Sequence, residues 1–174
     1  MINHIAVRPA AESDAEAIGE ITREAFTKYR NDLIGHASVK ALGESREDIL
    51  RDIKTKRVLV AEMNGRPVGS ARYELLESGI AYLSRFGVLL AAQSLGVGGL
   101  LISRVVDECA KAEIPAVALH TSARMSSLIR FYYGKGFFIH TVASDRGYYR
   151  ALLIKELSLH DDIIDYASLV PAEY

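Results

Sequence analysis

The stretch Gln93-Ser-Leu-Gly-Val-Gly-Gly-Leu-Leu101 decides how this chain is read. It places Gly96, Gly98 and Gly99 within four residues and then turns apolar. Glycine weakens the interior of a helix or strand, because it loses the most backbone freedom on ordering. At the start of a helix it has a use. The first turn carries N–H groups without intrahelical partners, and the helix dipole adds positive potential there. A glycine-rich turn lets an anion approach those groups closely. A tight turn alone needs fewer glycines. The stretch therefore predicts an anion cradle between a strand and a helix, at residues 94–99.

Outward from the loop, IAYLSRFGVLL (80–90) reads as a strand and LLISRVVDECAKA (100–112) as a helix. Leu101, Val105 and Cys109 fall on one face of that helix. Two strand-like runs precede it, RVLVAEM (57–63) and PVGSARYELLE (67–77), joined by Asn64-Gly65. That pair is a strong hairpin signal, because a type I′ turn needs positive φ at both positions. Ser78-Gly79 marks the next turn, so residues 57–90 predict a three-stranded antiparallel meander. Nearer the N-terminus, HIAVRPA (4–10) reads as a strand and ESDAEAIGEITREAFTKY (12–29) as a helix capped by Ser13 or Asp14. RNDLIGHAS (30–38) reads as a loop, and VKALGESREDILRDIKTK (39–56) as a more polar helix interrupted near Gly43. Downstream come the strand PAVALHT (115–121) and the helix SSLIRFYYGKG (126–136), stopped by Gly136. Strands FFIHTVAS (137–144) and YYRALLIKEL (148–157) form a hairpin across Asp145-Arg146-Gly147.

The order is β-α-α-β-β-β-α-β-α-β-β. The strand–helix–strand unit at 80–121 predicts a right-handed parallel crossover, and the hairpins make the rest antiparallel. The fold class is α/β in the α+β sense: a mixed, mostly antiparallel sheet of about seven strands flanked by about four helices. Residues 1–157 form one domain in this reading. Residues 158–174 form an extension whose Ile163, Ile164, Tyr166, Leu169 and Val170 pack on the domain or on a second subunit, as in a homodimer.

The whole chain of 174 residues is 49% hydrophobic and 25% charged, with a formal net charge of -1, so it is long enough to bury a substantial core without staples. No basic field or arginine-aromatic cluster points to nucleic acid. The single cysteine, Cys109, excludes an internal disulfide and reads as a buried small residue. No Cys/His spacing suits a metal. The apolar run around the glycines is too short for a membrane span, and the N-terminus lacks the pattern of a secretory signal. The reading is a cytoplasmic protein with no membrane partner.

The glycines do not make a dinucleotide site. Leu101 stands where G-x-G-x-x-G needs its third glycine, and the G-K-[ST] ending of a P-loop is missing. The stretch instead resembles the acetyl-CoA motif of the GNAT N-acetyltransferase family: a strand valine, Val88, then Gln93, Gly96 and Gly98 running into a helix. FYYGKGFF resembles the family's second motif through Phe131, Tyr132, Gly136 and Phe137. The order of elements is also similar through residue 157.

The resemblance implies a chemistry. Backbone amides of Ser94, Leu95, Gly96, Val97, Gly98 and Gly99, with Gln93, would hold the pyrophosphate of acetyl-CoA. Val88 and Leu90 would lend backbone to the pantetheine arm, in a gap where the fourth and fifth strands splay, and a backbone N–H would polarise the thioester. Tyr132 matches the family's general acid; a phenol of ordinary pKa near 10 keeps its proton at neutral pH. Met125 stands where the family often has a cofactor-binding asparagine, so Ser127 or Ser126 is the substitute through a hydroxyl, each also a cap for its helix. Leu90 stands where the family often has proline.

The acceptor is a small-molecule or peptide amine. Its general base is Glu74, Glu77, His120 or water. Tyr29, Arg30, Asp32 and His36, between the first two helices, are specificity candidates by the same resemblance. The implied activity is acetyl transfer by direct attack in a ternary complex. The alternative is a non-catalytic acyl-CoA sensor of the same fold.

Overall fold

The computed structural model describes residues 4–33, 38–159 and 162–174. The elements follow the expected order: β1 (Ile5–Pro9), α1 (Ala15–Asp32), α2 (Arg46–Thr55), β2 (Arg57–Met63), β3 (Arg66–Leu75), β4 (Ala81–Val88), α3 (Val97–Lys111), β5 (Ala116–Ser122), α4 (Ser126–Tyr133), β6 (Phe138–Ala143) and β7 (Arg150–Glu156). The sheet has seven strands in the order β1-β2-β3-β4-β5-β7-β6. β1 pairs β2, β2 pairs β3, β5 pairs β7 and β6 pairs β7, all antiparallel. β4 and β5 are parallel, through Ala81↔Val117 and Tyr82↔Ala118. The hairpin turn has φ 53° at Asn64 and 77° at Gly65, as its sequence requires.

The chain contacts divide into two compact units. The first comprises Met1–Asn31, Val39–Tyr73 and Ser84–Arg104. Here α1 and α2 supply Ala15, Ile18 and Ile49 to a cluster with Val58 and Val60 of β2. The isoleucine and valine side chains contribute about 1.5–3 kcal/mol each when fully buried. Asp14 accepts from the Ala11 N–H at 2.7 Å and from Arg8 at 2.7 and 2.9 Å, tying the entry of α1 to β1. α2 is capped by Ser45, which exchanges bonds with Asp48. On β3, a Cβ added at Gly69 would stand 3.0 Å from both Val97 and Leu101, so glycine there admits the start of α3 against the strand.

One feature of this unit was not read from the sequence. Arg72 on β3 is fully buried. It bonds Glu44 with both terminal nitrogens, at 2.6 and 2.7 Å, and Asp52 at 2.9 Å. Arg85 of β4 joins Glu44 at 3.2 Å. The pairing offsets the desolvation of four charges.

The second unit comprises Asp32–Ser38, Glu74–Leu83 and Val105–Tyr174. Its core joins Ile80, just before β4, Tyr82 of β4, Ala116 and Ala118 of β5, and Leu152 and Ile154 of β7. Tyr166 and Val170 are buried in that cluster, with Ile164, Leu169 and Tyr174 packed against it. The Tyr166 hydroxyl donates to Glu156 at 2.9 Å. Cys109 is fully buried, and its thiol is pushed up to about 12 by burial and by Glu108, as suits a packing residue.

Several boundaries differ from the sequence reading. α1 continues through Asp32, so Arg30 and Asp32 end a helix rather than open a loop. α3 begins at Val97, which puts Gly98 and Gly99 inside its first turn. β4 stops at Val88, and Leu90 opens a short 3-10 turn. A helical run can absorb polar or glycine residues at its ends where packing favours it, and patterns alone do not fix the last turn. Among the described residues, no helix is long and apolar enough to cross a membrane.

Candidate functional site

In the first unit, β4 leads through the Leu90–Ala92 turn to an exposed stretch, Gln93 to Gly96, and then into α3. Ser94 has φ 64° and Gly96 φ 89°. Positive φ at two positions rotates the chain so that α3 starts abruptly. A Cβ at Gly96 would meet nothing within 4 Å, so the space beside this residue is open. The Leu100 N–H donates to the Gly96 carbonyl at 3.1 Å. The amides of Val97, Gly98 and Gly99 thus precede the helix's own ladder, where an anion finds donors and a favourable dipole.

The loop is tied to its surroundings. Gln93 donates its side-chain amide to the Val88 carbonyl at 3.2 Å. The Leu90 N–H donates to Glu24 of α1 at 2.6 Å, which commits that amide to the fold. Arg85, three residues before the end of β4, has φ 50°. A bulky residue held there strains the strand, and such strain concentrates at functional sites.

In the second unit, α4 carries Tyr132, only 5% exposed, while its neighbour Tyr133 is 50% exposed. The Tyr132 ring sits edge-on to Phe131 at 5.2 Å and to Phe137 at 5.7 Å. Burial, with a contribution from the Tyr82 phenol, pushes the Tyr132 hydroxyl well above the usual tyrosine range. It is therefore a group that holds its proton. Gly136, at φ 83°, follows the end of α4, and the Phe137 N–H returns to the Tyr132 carbonyl at 3.1 Å.

The acetyltransferase (GNAT) family matches residues 15–137. The chain belongs to that family. No curated protein matches it by sequence. Among solved structures, three bacterial or archaeal acetyltransferases share its fold. The PaiA N-acetyltransferase of Thermoplasma acidophilum, in complex with coenzyme A, is 19% identical with a TM-score of 0.74, covering 88% of this chain and 99% of its own. The ribosomal-protein-S18-alanine N-acetyltransferase of Escherichia coli is 17% identical with a TM-score of 0.72, covering 92% and 99%. YncA of Salmonella typhimurium, solved with its cofactor acetyl-CoA, is 19% identical with a TM-score of 0.73, covering 93% and 99%.

In this GNAT chain, the expected cofactor-loop residues Val88, Leu90 and Gln93 to Gly99 lie together in the first unit. Tyr132 and Ser127 lie on α4 in the second. The helix cap there is Met125, with no side-chain hydrogen bond, and Ser126 and Ser127 are exposed in the first turn. Neither serine is a cap. Among base candidates, Glu74 is half-buried on β3 and Glu77 is exposed beyond it. His120 lies on β5, with Nδ1 2.9 Å from the Tyr82 hydroxyl. Its pKa is lowered to about 4, chiefly by burial and then by the Arg150 charge, so it is neutral at pH 7. His36 lies outside the described residues. No group of His, Cys, Asp or Glu among the described residues is arranged to hold a metal.

The second unit also holds a cavity of about 270 Å³, lined by Asp32, Leu33, Ser122, Arg124, Met125 and Tyr148, among others. Beside it, Arg150 opens β7 and is 3% exposed. Asp32 was among the specificity candidates, whereas Leu33, Ser122, Arg124, Tyr148 and Arg150 had no signal in the sequence, because the strand ends and loops that carry them are far apart along the chain.

Proposed function

We propose that the chain is an acetyl-CoA-dependent N-acetyltransferase acting on a primary amine by direct attack in a ternary complex. The observation that carries this reading is the turn at Gly96. It is exposed, open to a ligand, and followed by first-turn amides of α3 outside the helical ladder, in a chain of the GNAT family. The residues fit the cofactor: a pyrophosphate needs backbone donors and close approach, and the loop offers both.

Bound acetyl-CoA supplies an activated acetyl carbonyl and a thiol leaving group. Amides of residues 94–99 bind its pyrophosphate. Val88, at the end of β4, would lend its backbone to the pantetheine arm. Tyr132 holds a proton at its phenol oxygen and gives it to the departing sulfur as the acceptor nitrogen bonds to the acetyl carbon. The acceptor must arrive as a neutral amine. Its proton leaves to Glu74, to His120 or through water. The small cavity of the second unit, with a carboxylate and a guanidinium on its wall, suits a small polar acceptor.

The burial of Tyr132 between Phe131 and Phe137 favours a second reading, a non-catalytic acyl-CoA sensor in which the tyrosine serves packing. Calorimetry separates the readings in two steps. Acetyl-CoA binds in the micromolar range, NAD does not, and dephospho-CoA binds more weakly. An amine panel with thiol release then shows turnover for the enzyme and none for the sensor. No binding of acetyl-CoA refutes both.

A further inference from the structure

The first unit holds a contact that the proposed chemistry leaves unused. β4 ends at Val88, and Leu90 opens the Leu90–Ala92 turn that leads to Gln93 and the Gly96 cradle. The first N–H of such a turn has no partner within it. Leu89 has φ -52° and ψ 139°, an extended backbone near polyproline geometry that a following proline tolerates. Proline at position 90 would remove the N–H and hold the turn by its ring. This chain has leucine there, and the Leu90 N–H donates to Oε1 of Glu24, 66 residues earlier, at 2.6 Å.

Packing brings the two together. α1 lies close on β4, since a Cβ added at Gly87 would stand 3.0 Å from the Ala25 Cβ. Glu24, the neighbour of Ala25, is exposed, and Leu90 is 46% exposed. Water can satisfy an amide in such a place, so burial does not require the carboxylate. A charged acceptor does what water does not: it fixes the amide relative to α1. The rest of the turn is held as well. The Leu89 N–H donates to the Val68 carbonyl of β3 at 2.9 Å, and the Gln93 side chain closes back on Val88 at 3.2 Å. Beyond the cradle, Val97 and Leu101 of α3 stand against Gly69 of β3. The amides of residues 94–99 thus lie between two anchors, and Glu24 belongs to the first. Donors held in place before an anion arrives lose less freedom when it binds.

We propose that Glu24 is a positioning residue for the cofactor: its carboxylate pins the Leu90 amide and so holds the start of the cradle in the shape that takes a pyrophosphate. Glu24 acts through Leu90 and touches no cofactor atom. The assignment rests on the acetyl-CoA reading of the loop and adds to it a residue of α1, outside both sequence motifs. The sign of a substitution at Glu24 is informative. A carboxylate on this side of the loop opposes an incoming anion through its charge. Loss of charge alone therefore strengthens cofactor binding, whereas loss of the pin weakens it.

The test uses the full chain. Acetyl-CoA is titrated by calorimetry into wild type, Glu24→Ala, Glu24→Gln, Leu90→Pro and the double variant of Glu24→Ala with Leu90→Pro. Glu24→Ala weakens acetyl-CoA about tenfold, the effect of losing one hydrogen bond to a charged group. Glu24→Gln keeps a carbonyl oxygen for the amide and retains most of the affinity. In the Leu90→Pro background Glu24→Ala adds no further loss, because proline has no N–H to hold. Hydrogen exchange at the Leu90 amide is faster in Glu24→Ala than in wild type or Glu24→Gln. In steady state Glu24→Ala raises the KM for acetyl-CoA, with kcat and the urea midpoint close to wild type, a split that general destabilisation does not produce. Affinity unchanged or improved in Glu24→Ala overturns the assignment. So does an equal loss in the leucine and proline backgrounds, or a fall in the urea midpoint large enough to account for the weaker binding. Wild type that binds no acetyl-CoA overturns the cofactor reading itself, and the positioning role with it. Wild-type binding that is indifferent to Glu24→Ala overturns the positioning role alone.

Discussion

Tyr132 is the residue on which enzyme and sensor part. Its burial raises the phenol's pKa, which keeps the proton in place but makes its transfer to a thiolate less favourable. A general acid contributes typically 10²–10⁴-fold, and a reluctant donor belongs at the low end. Tyr132→Phe keeps the ring against Phe131 and Phe137, so folding and acetyl-CoA affinity stay close to wild type while kcat falls about 10²-fold. Steady-state kinetics beside calorimetry reads this, and equal losses in both quantities would remove the acid role. The position was legible in the sequence through its motif. Its burial was not, since three successive aromatics cannot face one side and spacing alone does not say which of them turns inward. Arg150 was not legible, because its partners Asp145 and Tyr174 are set by the hairpin and the tail together.

At the scale of elements, the proposed cofactor role rests on the start of α3. The sequence placed the glycines before the helix; the structure puts Gly98 and Gly99 inside its first turn. The difference strengthens the case for a binding role, since glycine there costs about 1 kcal/mol of helix propensity relative to alanine. Gly98→Asp tests it cleanly. An acidic side chain in a first turn favours the helix dipole, so thermal stability holds or rises slightly. The same carboxylate faces an incoming pyrophosphate, and acetyl-CoA binding is lost in calorimetry. Unchanged affinity would detach the loop from the cofactor. The β3–α2 contact depends instead on Arg72, whose partners Glu44 and Asp52 are buried with it. Arg72→Ala leaves both carboxylates uncompensated and lowers unfolding free energy by about 3–5 kcal/mol, readable as a fall in the urea midpoint. An arginine inside PVGSARYEL was a visible anomaly in an apolar strand, yet its anchors lie 28 and 20 residues away.

For the whole molecule, strand order and the parallel step were legible because hairpin turns and a strand–helix–strand spacing are local signals. The tail's path over Tyr82 was not, since apolar residues after 157 fit several surfaces equally well. His120, on β5 beside β7 and bonded to Tyr82, gives the molecule a pH dependence. Burial and the Arg150 charge lower the folded-state pKa of His120 to about 4, against an ordinary value near 6.5. A histidine depressed on folding takes up its proton more readily in the unfolded chain. Its contribution is therefore constant above about pH 6.5 and is lost as pH falls from there toward 4. Since His120 is only partly buried, the loss by pH 5 is about 1–2 kcal/mol. Asp14, held below the usual carboxylate range first by its bonds to Arg8, adds stability that is lost only at lower pH, below its ordinary value near 4. The two effects thus occupy separate windows. Urea unfolding of wild type between pH 7.5 and 4.5 shows the first decline, and His120→Gln flattens it while leaving the acid limb below pH 4. A wild-type midpoint that stays level from pH 7 to pH 5 would mean that His120 is as readily protonated in the folded chain as in the unfolded one, and that Arg150 does not act on it.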